Sequence, residues 1–270
     1  MTPSLGVVGL GRMAQALVRP WLQLGLVSPG QLQAVVASDA SASRLAADLP
    51  CAVGTDPAPA WGSQVVLLAV KPQQLEAVAA QAAAQQAARP GPAGRLLVSV
   101  LAGVTLARLE SLFVGWRCVR AVPNTPALVR SGLTGLAYGA GVEPADRQWL
   151  EALFGAVGEV LTLPEAQLDA FLALTSSGTG FVALVVEALA DGAVAAGLPR
   201  DLALRLAPAT LAGTAALLQQ QQLHPGQLKD MVSSPGGTTI AGLRALERGG
   251  LRSALIEAVL AAAERSRQLG

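Results

Sequence analysis

The sequence predicts an α/β chain: an N-terminal Rossmann-type doubly wound parallel sheet followed by an all-α C-terminal domain. Three observations carry this. Short continuous apolar runs alternate with alanine-rich helical stretches through residues 1–163. A glycine turn stands where the first strand gives way to the first helix. After Pro164 the strand pattern stops, so residues 164–270 read as a helical domain. Two domains of ordinary size suit 270 residues.

The elements follow in order. Leu5–Leu10 reads as a strand and Met13–Leu24 as a helix. Gln33–Ser38 is a second strand, Ser43–Leu49 a second helix, and Val65–Val70 a further strand that stops at Lys71-Pro72. Leu75–Ala88 is helical, Leu96–Val100 and Cys118–Val122 are strands, and Leu133–Tyr138 and Glu159–Leu163 are edge strands. Continuous rather than alternating apolar runs imply strands covered on both faces, as in a parallel sheet. In the second half, Leu168–Ala196 is helical with an interruption at Ser176–Gly180. Arg200–Gln220, Pro225–Met231, Thr239–Arg248 and Leu251–Gln268 complete it, with Gly197, Gly226, Gly249 and Gly250 as helix stops.

Composition narrows the function classes. With 52% hydrophobic and 14% charged residues the chain can build a large core. A mean hydropathy of +0.47 raises the question of a membrane. Continuous apolar runs such as Val65–Val70 and Phe181–Val186 are far shorter than the roughly 18–20 residues of a span, so no membrane association is expected. A net charge of +1, no basic stripe and 3% aromatic residues argue against a nucleic-acid partner. Cys51 and Cys118 have no metal-ligand spacing and read as small apolar residues rather than a disulfide. The single histidine, His224, cannot build a metal site alone. No secretory signal is visible, so the expected location is cytoplasmic.

Gly9-Leu10-Gly11-Arg12-Met13-Ala14 is a G-x-G-x-x-A turn in the strand-to-helix setting that a dinucleotide needs. The first glycine makes the tight turn, the second lets a pyrophosphate approach the backbone, and the small third residue lets helix and strand pack closely. Free N–H groups at the helix start then face the phosphates. At the end of the second strand, Ser38 stands in the usual acidic place, and Ser41, Ser43 and Arg44 suit a 2′-phosphate. Asp39 pulls towards NADH, so the expected cofactor is NADPH with NADH as the alternative. Ser43 also reads simply as a helix cap.

Four further segments have local chemistry of their own. Ala69-Val70-Lys71-Pro72 ends a strand, where ligands of doubly wound sheets sit; Lys71 adds a charge there or is a solvated lysine before a turn. Val122-Pro123-Asn124-Thr125-Pro126 also ends a strand, stiffened by two prolines. Ser176-Ser177-Gly178-Thr179-Gly180 breaks a helix. Ser233-Ser234-Pro235-Gly236-Gly237-Thr238-Thr239 is a glycine loop entering a helix, which serves as a cap, a carboxylate site, or both.

Taken together and in this order, from Leu5 to about Arg265, these segments resemble Δ1-pyrroline-5-carboxylate reductase, the enzyme that closes proline biosynthesis. The resemblance implies hydride transfer from NAD(P)H to the C=N bond of a small cyclic imino acid. It implies cofactor contacts from Gly9, Leu10, Gly11, Arg12, Met13, Ser38, Arg44, Asp56, Ala69, Val70, Lys71 and Pro72, with Asn124 beside the nicotinamide. It implies substrate contacts from Ser177, Ser234, Gly236, Gly237, Thr238 and Thr239, the Thr239 hydroxyl being the catalytic candidate at the ring nitrogen. It further implies a homo-oligomer, a dimer or an assembly of dimers such as a decamer. The family usually carries Pro-Ala-Tyr where this chain has Thr179-Gly180-Phe181, which alters the local wall. Two rival readings share the fold. One is a β-hydroxyacid-type dehydrogenase, which needs a helical-domain lysine, here Lys229 alone. The other is a non-catalytic NADP-binding protein.

Overall fold

The computed structural model describes residues 3–88 and 94–269. Its sheet has eight strands in the order β3-β2-β1-β4-β5-β6-β7-β8. These are β1 (Leu5–Val8), β2 (Leu32–Val35), β3 (Ala52–Gly54), β4 (Val65–Leu68), β5 (Leu96–Ser99), β6 (Arg117–Pro123), β7 (Gly132–Tyr138) and β8 (Gly158–Thr162). The strand order turns outward in both directions from between β1 and β4, the crevice where doubly wound sheets bind ligands.

The sheet is mixed rather than wholly parallel. β6 and β7 pair antiparallel, Val119 opposite Tyr138, and β7 and β8 then run parallel to each other. The reason is chain length. Only residues 124–131 join β6 to β7, too few for the crossover that a parallel neighbour requires.

Helices cover both faces. α1 (Arg12–Gln23), α2 (Asp39–Ala46), α3 (Ala58–Trp61), α4 (Leu75–Ala88), α5 (Leu106–Leu112) and α6 (Pro144–Gly155) belong to this half. One buried cluster joins Val7, Leu67, Val98, Val119 and Ala121 to Leu17, Trp21, Leu150 and Phe154. Another, on the opposite face, joins Val8, Val66, Leu97, Cys118 and Val122 to Trp61, Ala79, Leu109 and Phe113. Consecutive strand residues fall in different clusters because strand side chains alternate.

Beyond β8 come α7 (Leu168–Leu172), α8 (Gly178–Ala195), α9 (Arg200–Gln221), α10 (Pro225–Met231), α11 (Thr238–Arg248) and α12 (Leu251–Arg267). The expected interruption at Ser176–Gly180 is not a loop: Ala173–Ser177 is π-helical and links α7 to α8. Two compact units result. The first runs to Ser176 and regains the chain from Ala262; the second is Ser177–Ala261.

Two helical stretches, Glu165–Ala195 and Arg200–Gln221, are long and apolar enough to cross a membrane by length and composition. The continuous apolar runs of the sequence did not reveal them. Alanine and glycine dilute the few charges along these helices, so a window average passes where an unbroken apolar run does not.

Candidate active site

Gly9 turns the chain out of β1 with φ +89°, the left-handed region that only glycine enters freely. A Cβ here would lie 2.8 Å from the Ala69 carbonyl oxygen and 2.9 Å from Val70 Cγ1. The end of β4 therefore backs the turn, fixed by Ala69 N–H donating to Val8 O at 2.8 Å. Gly11 precedes α1 in extended conformation, no side chain caps the helix, and a Cβ at Gly11 would meet nothing within 4 Å. The first intrahelical bond is Gln15 N–H to Gly11 O, at 3.0 Å. The N–H groups of Arg12, Met13 and Ala14 precede that bond, as at any helix start, and suit an anion. A cleft of about 460 Å³ opens beside this turn, lined by Gly9, Gly11, Ala69, Val70 and Lys71 with Thr55, Gln74 and Gln81. An open backbone cradle, bare N–H donors and a cleft together fit a dinucleotide. Leu10 points into the core, Met13 is half-buried, Arg12 is exposed at the first helical position, and Pro72 begins the turn into α4.

The end of β2 is used for capping. Ser38 Oγ accepts from Ser41 N–H at 3.3 Å and caps α2. The helix therefore begins at Asp39, four residues before the expected start, and Ser43 lies within it rather than capping it. Asp39 accepts from Thr55 Oγ1 at 2.9 Å. Arg44 is exposed and makes no ion pair with a described residue. Asp56 accepts from Ala58 N–H at 3.0 Å and lines a separate cleft of about 450 Å³ with Arg95 and Gln31. Of this segment, Thr55 rather than Asp56 lines the cleft beside the glycine turn. Thr55, Gln74 and Gln81 carried no motif and were not expected.

Asn124 is 4% exposed, and both ends of its amide are engaged. Its oxygen accepts from Leu133 N–H at 2.8 Å, and its Nδ2 donates to Thr175 O in the π turn at 3.1 Å. Ser176 Oγ donates to Pro123 O at 3.2 Å. Thr175 Oγ1 donates back to Phe171 O at 2.7 Å, a bond that competes with regular helix geometry. The pair Ser176-Ser177 followed by Gly178 has low helix propensity, which further eases the π turn.

In the second unit, Gly236 adopts φ +69° and Gly237 leads into α11 in extended conformation. A Cβ on Gly237 would lie 2.3 Å from Ser234 Oγ and 3.1 Å from Ser234 O, so a larger residue needs the serine hydroxyl to rotate away. Gly237 N–H donates to Ser234 O at 3.0 Å, and the first bond inside α11 is Ala241 N–H to Gly237 O at 3.3 Å. No side chain caps the helix. Thr238, Thr239 and Ile240 thus begin a helix of 11 residues with their N–H groups ahead of that bond. Thr239 is half-buried and Thr238 exposed. Ser177 is half-buried at the start of α8. Lys229 pairs with its neighbour Asp230 at 2.9 Å.

Two family models match the chain. Pyrroline-5-carboxylate reductase dimerisation covers residues 165–269, and NADP oxidoreductase coenzyme F420-dependent covers residues 4–103. The chain is 44% identical to the pyrroline-5-carboxylate reductase of Synechocystis over 100% of this chain and 99% of that protein. It is 39% identical to that of Methanosarcina acetivorans, over 99% and 98% of the two chains. Among solved structures, Plasmodium falciparum pyrroline carboxylate reductase with NADP bound aligns with a TM-score of 0.89 and 26% identity, over 99% of this chain and 98% of that one. The Streptococcus pyogenes enzyme aligns with a TM-score of 0.88 and 27% identity, over 98% of both. Matched end to end by these relatives, the chain belongs to the pyrroline-5-carboxylate reductase family.

Proposed function

We propose that this protein reduces Δ1-pyrroline-5-carboxylate to L-proline with NADPH. The observation that carries the reading is the full-length 44% identity to a reductase of that name, on a chain whose glycine turn is open to a dinucleotide. When bound, NADPH supplies the hydride that saturates the C=N bond.

The chain's own residues then bind and orient. The Gly9–Met13 turn takes the pyrophosphate on its N–H groups, with Ala69, Val70, Lys71 and Pro72 as the facing wall. Arg44, exposed and without an ion pair among the described residues, is the cation for the 2′-phosphate, supported by NADP in the Plasmodium relative. Ser38 contributes through its backbone, since its hydroxyl is occupied at the α2 cap. Ser234, Gly236, Gly237 and Thr238 hold the substrate carboxylate at the start of α11. Thr239 Oγ1 holds the ring nitrogen, and Ser177 contributes a further hydroxyl. The segment Ser233–Ile240 contains no carboxylate or imidazole. Its contribution is therefore orientation of an imine that solvent protonates beforehand, rather than proton transfer from a strong acid.

The protein works as a homo-oligomer, at least a dimer, a reading supported by the dimerisation model over residues 165–269. A decamer built of such dimers is the larger form to look for. Cys51 and Cys118 are free thiols, as suits the reducing cytoplasm.

The test is a rate assay with purified protein, NADPH and pyrroline-5-carboxylate, followed at the reduced-nicotinamide absorbance. Consumption of NADPH with formation of proline is expected. Activity with a β-hydroxyacid alone, or with neither substrate, would overturn the assignment.

A further inference from the structure

Arg120 is 1% exposed in the middle of β6, yet it carries a charge. Its Nη2 donates to Asp169 Oδ1 at 2.7 Å and its Nη1 to Glu165 Oε1 at 3.5 Å. Its Nε has no hydrogen-bond partner among the described residues. The same Asp169 oxygen accepts from Ser266 Oγ, 2.8 Å away near the end of α12. Glu165 also accepts from Leu106 N–H at the start of α5, at 2.6 Å. One arginine thus gathers the segment by which the chain leaves the first unit and the segment by which it returns.

Arg120 does not act alone on that strand. Residues 120, 122 and 124 alternate onto one face, and Asn124 and Pro123 take Thr175 and Ser176 from the same departing helix. Residues 165–176 are therefore tied to β6 at two places, by charge at Asp169 and by amide and carbonyl at the π turn. A buried arginine that leaves one nitrogen unpaired is poor economy for stability alone, because an apolar side chain of similar volume is often as good. What a charged anchor adds is a fixed register of the helix against the strand.

We infer that Arg120, through Asp169, is a positioning residue for imine reduction: it sets the π turn, and with it Ser176, Ser177 and Asn124, in working geometry. This rests on the proposed function and goes beyond it in assigning a role to residues that touch neither cofactor nor substrate.

The test compares Arg120→Met, Arg120→Lys and Asp169→Asn with the unaltered protein. Measured are kcat and KM for the imine, NADPH affinity by nicotinamide fluorescence, melting temperature, and amide hydrogen exchange of residues 173–178. Arg120→Met and Asp169→Asn should lower kcat about 10- to 100-fold, the scale of a misplaced reacting group. NADPH affinity should hold, exchange at 173–178 should rise, and Arg120→Lys should recover part of the rate. Unchanged kcat in a folded Asp169→Asn protein would overturn the inference, as would kcat and NADPH affinity falling together in step with melting temperature. Should Arg120→Met fail to fold, Arg120→Lys and Asp169→Asn decide by the same criteria. Hydrogen exchange separates the two claims: an unaltered protein inactive on the imine refutes the substrate, while exchange at 173–178 still reports on the anchor.

Discussion

The two compact units bury their apolar residues in opposite ways. In the first, both faces of the sheet are sealed, and Trp21, Trp61, Phe113 and Phe154 are each at most 2% exposed. In the second, the buried cluster is three alanines, Ala190, Ala203 and Ala207. Leu184 at 66%, Leu204 at 49% and Leu260 at 57% stand in solvent in the single chain. Complete burial of a leucine stabilises by about 1.5–3 kcal/mol, and each of these forgoes the share that its exposed surface represents. The lesson is that the nucleotide half carries its own core, whereas the helical half is built to be covered. A second copy of the same helices is the cover proposed for it.

That contrast assigns different failures to different positions. The largest effect is expected in the helical half, at Thr239→Ala. Turnover should fall roughly 10- to 1000-fold with NADPH affinity intact; full activity in steady-state assays would remove Thr239 from the site. Gly9→Ala attacks the other half. The left-handed backbone and the approach to Ala69 cost about 1–3 kcal/mol, so NADPH should bind roughly 10- to 100-fold more weakly, with the oligomer unchanged by light scattering. Leu184→Glu against Val114→Glu tests the cover itself. Both side chains are exposed in one chain, but only the α8 substitution should raise the subunit dissociation constant, by about tenfold or more, in sedimentation experiments. Arg44→Ala should be milder, about a few-fold in KM for NADPH with NADH untouched, as for one exposed charge pair.

One pH effect is expected in the sealed half, at Cys118. Burial first, and then the Glu110 charge, push the Cys118 thiol up to about 12 from 9.0. Above pH 9.0 the unfolded chain releases this proton while the folded one keeps it, so stability falls as pH rises. Cys118→Ala should flatten the alkaline side of the denaturation profile.

The strands of the first half were legible because buried parallel strands write themselves as unbroken apolar runs. β3 was not, since Ala52–Gly54 is short and only partly buried at the sheet's edge. The reversal at β7 was implicit in the eight residues that join it to β6. The glycine turn was readable because Gly9 answers a backbone demand, while Gly11 leaves the space before α1 open. Asn124 was picked out by its strand end, but its amide bonds run to Leu133 and Thr175, partners that no local pattern names. The Arg120–Asp169–Ser266 cluster joins residues as much as 97 positions apart and had no local signal; the Ser-Ser-Gly run marked a break in the helix, but not that the break is a π turn.

The central claim, that this chain delivers a hydride to the carbon of a cyclic imine, is tested most directly with NADPH carrying deuterium at nicotinamide C4. Incubation with pyrroline-5-carboxylate and the purified protein should yield proline labelled at carbon 5, seen by mass spectrometry, when the transferring face carries the label. Proline without label from both C4 epimers of the cofactor, or no proline at all, would contradict it.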